Sequence, residues 1–167
     1  MILAALFVAL GVVLPMAFHS IPNAGSIFLP MHIPVLLCGL ICGWAYGLGC
    51  GVLAPLLSSL MTGMPPAAIL PGMLCELAVY GLVSGLLLKV IHTKRTIVDL
   101  YLALIGAMIA GRLVSGALNA LIFRAGSYSL AAWTAASFVT ALPGIAIQLV
   151  LIPILVMALQ RAGLVER

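Results

Sequence analysis

The feature that most constrains this chain is a long stretch without charge, since no Asp, Glu, Lys or Arg precedes Glu76. Of all 167 residues, 65% are apolar and only 6% are charged, whereas soluble domains carry about 25% charged residues. A water-soluble globule of this composition has too few polar side chains to cover its surface. The composition also excludes a disordered chain, a disulfide-stabilised secreted domain and a nucleic-acid-binding protein. We therefore predict an all-α integral membrane protein with a single domain, residues 1–167.

Polar breaks divide the chain into apolar stretches that suit membrane crossing, for which a helix needs roughly 20 apolar residues. As one helix, residues 31–61 would be about 46 Å long, which exceeds the ~30 Å hydrocarbon core. Glycines in segment 43–47 indicate a turn within that stretch. No basic leader precedes the first apolar run, so we do not expect a cleaved signal peptide. The sequence predicts six spans, at residues 1–18, two short spans within 31–61, then 67–88, 97–122 and 133–159, with loops at 19–30, 62–66, 89–96 and 123–132.

Basic residues predict the orientation of these spans. Lys89, Lys94 and Arg95 share one loop, while Arg161 and Arg167 lie in the C-terminal tail two spans later. The positive-inside rule places both groups in the cytoplasm. Because four spans precede Lys89, the N-terminus is expected in the cytoplasm as well. The prediction is a multi-pass plasma-membrane bundle with both termini inside.

Two charged residues fall within predicted spans, Glu76 and Arg112. A charge at the bilayer centre is unfavourable by roughly 2.5 to 3.5 kcal/mol on insertion scales, so such residues are functional candidates. Counted from the outer ends of their helices, the two lie at similar depths of about 13 and 15 Å. Two interpretations stay open, a structural ion pair that joins two helices and a site in which both residues flank a polar ligand.

Other polar residues are predicted to lie near these two charges. Arg112, Ser115 and Asn119 share a helix face because they stand at i, i+3 and i+7, and Tyr80 follows Glu76 by one turn. A capping role for His32 and a turn role for Asn23 remain open. The predicted outward-facing pocket is lined by Asn23, His32, Glu76, Tyr80, Arg112, Ser115, Asn119, Trp133 and Gln148.

Small residues recur at four-residue spacing in two places. Gly39, Gly43, Gly47 and Gly51 form one series, and Ala5 and Ala9 form another. This spacing allows two helices to approach closely. It serves either packing inside the bundle or docking of another membrane subunit.

Motifs for catalysis are missing from the sequence. It contains no G-x-S-x-G, no H-E-x-x-H and no P-loop, so we predict neither an enzyme nor a cofactor, and energy for any active transport must come from other subunits. The cysteines lie in apolar runs and are interpreted as small buried residues rather than zinc ligands. They are Cys38, Cys42, Cys50 and Cys75.

Four runs together resemble the substrate-binding S component of energy-coupling factor (ECF) transporters: MHIPVLLCG at 31–39, PLLSSL at 55–60, GMPP at 63–66 and ELAVYG at 76–81. The resemblance extends over the whole chain. It implies a subunit that binds a micronutrient, usually a vitamin, near the outer face of the membrane. It also implies docking through an Ala-x3-Ala motif, here Ala5 and Ala9, onto a membrane coupling subunit that works with two ABC-type ATPases.

The polar residues of the predicted pocket narrow the range of possible substrates. Nickel and cobalt members of this group begin with a mature Met-His sequence, whereas Met31-His32 is internal here, so no metal site is expected. The planar fork of Arg112 suits a carboxylate. Asn119, Gln148 and Tyr80 suit hydroxyls or amides, and this set favours pantothenate. Aromatic residues near the outer face leave pyridoxine, riboflavin or a pyrimidine open. A proton-coupled secondary transporter that uses Glu76 is the alternative class.

Overall fold

The computed structural model describes residues 1–18, 23–93, 95–123, 129–163 and 165. These residues form helices and turns, with no strand among them, which confirms the all-α prediction. Two π-helical turns extend α-helices, Asn119–Phe123 after α6 and Ala135–Thr140 after α7. The helices are α1 (Ile2–Ala17), α2 (Ala24–Phe28), α3 (His32–Cys42), α4 (Trp44–Thr62), α5 (Leu70–Val90), α6 (Thr96–Leu118), α7 (Leu130–Thr134) and α8 (Leu142–Arg161).

Five helical stretches in the described residues are long and apolar enough to cross a membrane. The first of them joins α2 to α3. Helix α1 is also apolar but has only 16 residues, which corresponds to about 24 Å against the ~30 Å core. The five stretches are Ala24–Cys42, Trp44–Thr62, Leu70–Val90, Thr96–Phe123 and Leu142–Arg161.

The predicted turn within residues 31–61 is confirmed at Gly43. Helix α3 ends at Cys42 and α4 begins at Trp44, and Gly43 between them has φ +92°. A positive φ of this size is readily adopted only by glycine. The turn leaves α3 with just 11 residues, so this part of the chain reaches spanning length only together with α2.

Two boundaries were predicted wrongly, both near loops that the sequence predicts on the outer face. Loop 19–30 contains helix α2, because Asn23 adopts a left-handed conformation and its carbonyl accepts the N–H groups of Ser26 and Ile27; residues 19–22 lie outside the described part of the chain. The fourth span begins at Leu70 instead of residue 67. Residues 67–69 form a turn, in which Pro66 accepts bonds from the N–H groups of residues 69 and 70.

The sixth predicted span, residues 133–159, is also wrong as a single helix. Trp133 lies on α7, which continues into the π-helical turn Ala135–Thr140, and α8 starts separately at Leu142. Pro143 lies in the first turn of α8, where a missing N–H costs no helical hydrogen bond. The proline therefore begins a new helix here instead of kinking a continuous one.

Helix α5 is central to the bundle, since it packs against α3, α4 and α6. Its backbone approaches α3 and α4 through glycines. A Cβ added at Gly39 or Gly47 would overlap the carbonyl group of Gly81, and one added at Gly51 would overlap the backbone of Leu77. Gly39, Gly47 and Gly51 thus form an internal seam, which favours packing inside the bundle for this spacing, whereas Gly43 is the turn between α3 and α4.

Candidate functional site

A buried polar cluster begins where α3 meets α5. His32, the first residue of α3, places Nε2 3.7 Å from Oε1 of Glu76, and the two side chains are 4% and 21% exposed. The His32 ring also packs edge-on against Tyr80, with centroids 5.3 Å apart. Glu76 and Tyr80 lie one turn apart on α5, so both face the start of α3.

Arg112 joins this cluster from α6. Its Nε donates a 2.9 Å hydrogen bond to the hydroxyl oxygen of Tyr80, and the residue is only 3% exposed. A Cβ at the neighbouring Gly111 would overlap the Tyr80 ring, so glycine at this position lets α6 approach. Among the described residues Arg112 has no carboxylate within 4.0 Å, and Glu76 pairs with His32. The Glu76–Arg112 ion pair left open by the sequence does not form in this structure.

Aromatic side chains cover Arg112. The guanidinium lies 5.4 Å from the centroid of the Phe138 ring, a cation–π contact. Trp133 donates its indole N–H to the Arg112 carbonyl at 3.3 Å and packs edge-on against Phe138. Glycine at position 116 leaves space for the indole, since a Cβ there would overlap it. Phe138 was not predicted, because no spacing in the sequence links it to Arg112; it reaches the guanidinium through α7 and the π-helical turn that follows.

Ser115 and Asn119 continue the Arg112 face of α6, as their spacing predicts. Ser115 Oγ donates to the Gly72 carbonyl on α5 at 3.2 Å, and Asn119 Nδ2 donates to the Ser115 carbonyl at 2.8 Å. A Cβ on Gly72 would overlap the Asn119 amide. Ser115 therefore bonds α6 to α5, and Asn119 packs against Gly72 of α5.

A family model described as "ECF transporter, substrate-specific component" matches residues 1–156. The chain belongs to this family. The match includes the whole polar cluster as well as the alanines of α1. A comparison with curated proteins finds no match, and a comparison with solved structures finds none either.

Family membership confirms the resemblance seen in the sequence. S components are substrate-specific membrane subunits of ECF transporters, bind small molecules, and work with a membrane coupling subunit and ATPases. They are transport subunits and not enzymes. Together with the apolar helices, this makes the chain a multi-pass plasma-membrane protein.

Several buried polar atoms of this S component lack a hydrogen-bond partner among the described residues. They are Nδ1 of His32, Nη1 of Arg112, and both Nε2 and Oε1 of Gln148. Gln148 lies on α8 and is fully buried. Because buried polar groups are normally hydrogen-bonded, these donors and acceptors are the atoms of the S component best suited to a polar ligand.

Two predicted lining residues are not connected to the cluster by hydrogen bonds. Gln148 makes none with the described residues, and Asn23 is exposed and begins α2 through its backbone, which supports the turn role. Helix α2 lies against the start of α8, where a Cβ on Gly144 would overlap Ile27 and Phe28. The contacts described above instead bring together His32, Glu76, Tyr80, Arg112, Ser115, Asn119 and Trp133.

Proposed function

We propose that this S component binds a small anionic vitamin through Arg112, with pantothenate as the best candidate. The proposal rests on the Arg112 guanidinium. It is buried, its Nη1 has no hydrogen-bond partner, and no carboxylate of the described residues lies within 4.0 Å. A buried cation without a counter-charge is strongly disfavoured. A ligand carboxylate supplies that counter-charge and accepts the free N–H groups.

The other buried atoms without hydrogen-bond partners suit the uncharged polar groups of such a vitamin. Pantothenate carries an amide and hydroxyl groups beside its carboxylate. The amide of Gln148 both donates and accepts, and Nδ1 of His32 offers one more hydrogen-bonding atom. Glu76 makes no ion pair with Arg112 within 4.0 Å, and its Oε1 lies 3.7 Å from Nε2 of His32 instead.

We further propose the six-span topology, with α1 as a short span and both termini in the cytoplasm. Ile97 and Arg161 line one crevice, so the start of α6 and the end of α8 share one end of the bundle with Arg95. The positive-inside rule then makes this end cytoplasmic. In a cysteine-free background, a cysteine at His92 should resist impermeant maleimide in intact cells and one at Ala132 should react; the reverse pattern contradicts this topology.

Ala5 and Ala9 are proposed as the docking surface for the coupling subunit, in a complex with two ABC-type ATPases. Both alanines are exposed on α1, while the opposite side of this helix packs on α3 and α4. Small side chains on an exposed face permit close approach of a partner helix.

Equilibrium binding tests the ligand. The purified full chain is titrated calorimetrically with pantothenate, pyridoxine, riboflavin and thymine at one pH, and co-purifying molecules are identified by mass spectrometry. We expect pantothenate to bind with micromolar or better affinity and the neutral compounds to bind far more weakly. Preferential binding of a neutral vitamin contradicts the anion site. Proton-driven uptake into vesicles without ATPases favours the secondary-transporter alternative.

A further inference from the structure

An open crevice separates α6 from α8 at the end of the bundle where α6 begins. Its volume is about 600 Å³, and its walls include Ile97 and Tyr101 from α6 and Ile154, Met157 and Arg161 from α8. The aromatic cover of Arg112 lies near the other end of α6. The crevice is therefore separate from the proposed vitamin site.

The chemistry of the crevice is apolar with one positive charge. Ile97 and Ile154 are 45% and 57% exposed, and no acidic residue lines the walls among the residues that the structure describes. An adjoining crevice of about 330 Å³ shares Arg161 and adds Thr96 and Gln160. Arg161 itself is exposed and has no carboxylate within 4.0 Å in the described part of the chain.

The membrane determines what fills such a crevice. Because α6 and α8 are both of spanning length, the apolar walls face lipid acyl chains, and the arginine lies in the last turn of α8, where headgroups are found. Basic pockets between spanning helices bind the headgroups of anionic lipids. We infer that this crevice binds one anionic phospholipid, with an acyl chain along Ile97, Ile154 and Met157 and the phosphate group at Arg161.

Native mass spectrometry of the full chain in detergent tests this inference with two lipids that share dioleoyl chains, phosphatidylglycerol and phosphatidylcholine. We expect the wild type to prefer phosphatidylglycerol. One basic residue near an anionic lipid surface is worth about 1 kcal/mol, so Arg161→Gln should weaken phosphatidylglycerol binding about fivefold. Arg161→Lys should largely retain it, and phosphatidylcholine binding should not change in either variant.

The matched control is Arg95→Gln, which removes the same charge from an exposed residue that lines neither crevice. We expect less than a twofold effect. Ala158, an exposed residue of the crevice wall, provides a second variant, because Ala158→Trp fills the space and should reduce binding of both lipids. Equal losses for Arg161→Gln and Arg95→Gln, equal wild-type binding of the two lipids, or unchanged binding in Ala158→Trp would each overturn the inference.

Discussion

The Nε atom of Arg112 donates a 2.9 Å hydrogen bond to the hydroxyl of Tyr80, and this bond joins α6 to α5 inside the bundle. The guanidinium is thus held by the neutral Tyr80 hydroxyl and not by a carboxylate, which would neutralise its charge. Phe138 lies on the same group, with 5.4 Å between the guanidinium carbon and the ring centroid, so the guanidinium is contacted from two sides. For the proposed ligand carboxylate, a guanidinium held in this way is preorganised, since its fork donates hydrogen bonds to two oxygens at once.

Arg112→Ala should weaken pantothenate binding by roughly ten- to hundredfold. The lost contact is charge-assisted and worth about 1.5 to 3 kcal/mol, and each 1.4 kcal/mol is about tenfold in affinity. Arg112→Lys should recover only part of the loss, because an ammonium lacks the planar fork. Calorimetric titration measures the affinity, and Lys89→Ala, at an exposed position, is the control. Wild-type affinity in a stably folded Arg112→Ala protein would falsify the anion site.

Tyr80→Phe should reduce stability more than it reduces affinity. The change removes the acceptor of the Arg112 bond and leaves a buried donor without a partner, a loss of about 1 to 3 kcal/mol. Thermal unfolding in detergent measures the effect beside ligand affinity. Tyr46→Phe makes the same chemical change on a half-exposed ring and should shift the Tm little. Equal shifts in the two variants argue against the bond as a stabilising contact.

Glu76→Gln should destabilise the protein yet leave binding of an anion intact or slightly stronger. It removes the carboxylate that pairs with His32 at 3.7 Å, and it also removes a negative charge near the proposed ligand. In a double-mutant cycle with His32→Gln, the interaction free energy of the two side chains in unfolding should be about 0.5 to 3 kcal/mol. Thermal unfolding of both single variants and the double variant supplies the cycle. Strictly additive losses indicate that the two side chains do not interact.

Gly47→Ala should be strongly destabilising, whereas Gly49→Ala on the same helix should not be. A Cβ at Gly47 would overlap the backbone at Gly39 and Gly81, while a Cβ at Gly49 meets nothing within 4 Å. Overpacking of this kind costs about 1 to 3 kcal/mol, and replacing glycine by alanine at an open helical site gains about 0.5 to 1 kcal/mol. The Tm values of the two variants should therefore move in opposite directions. Similar Tm values contradict the glycine seam.

Replacing Ala5 and Ala9 together by Leu should abolish ATP-driven uptake in a reconstituted complex and leave vitamin binding to the isolated chain unchanged. Larger side chains on this exposed face hold a partner helix away. The matched control places the same substitution at Ala117 and Ala120, which are exposed on α6 and on the π-helical turn that follows it. Uptake that survives in the α1 variant shows that the coupling subunit docks elsewhere.

The sequence determined the class of fold, because its lack of charge leaves no way to build a soluble surface. It also determined the break at Gly43, since this follows from local backbone freedom, whereas the spacing of the glycine series left internal packing and docking both open. Arg112, Ser115 and Asn119 could be placed on one face from helical spacing alone. These features depend on residues that are close together in the sequence, and helical periodicity predicts which of those residues share a face.

Only the tertiary structure decided the partners of the two buried charges. Spacing gave Glu76 and Arg112 similar depths, but depth carries no information on helix rotation, which turned Glu76 towards His32 and Arg112 towards Tyr80. Phe138 was missed for the same reason, since it reaches Arg112 through the separate path of α7 and a π-helical turn. Pairing between helices depends on how they rotate and pack, and a one-dimensional pattern does not specify either.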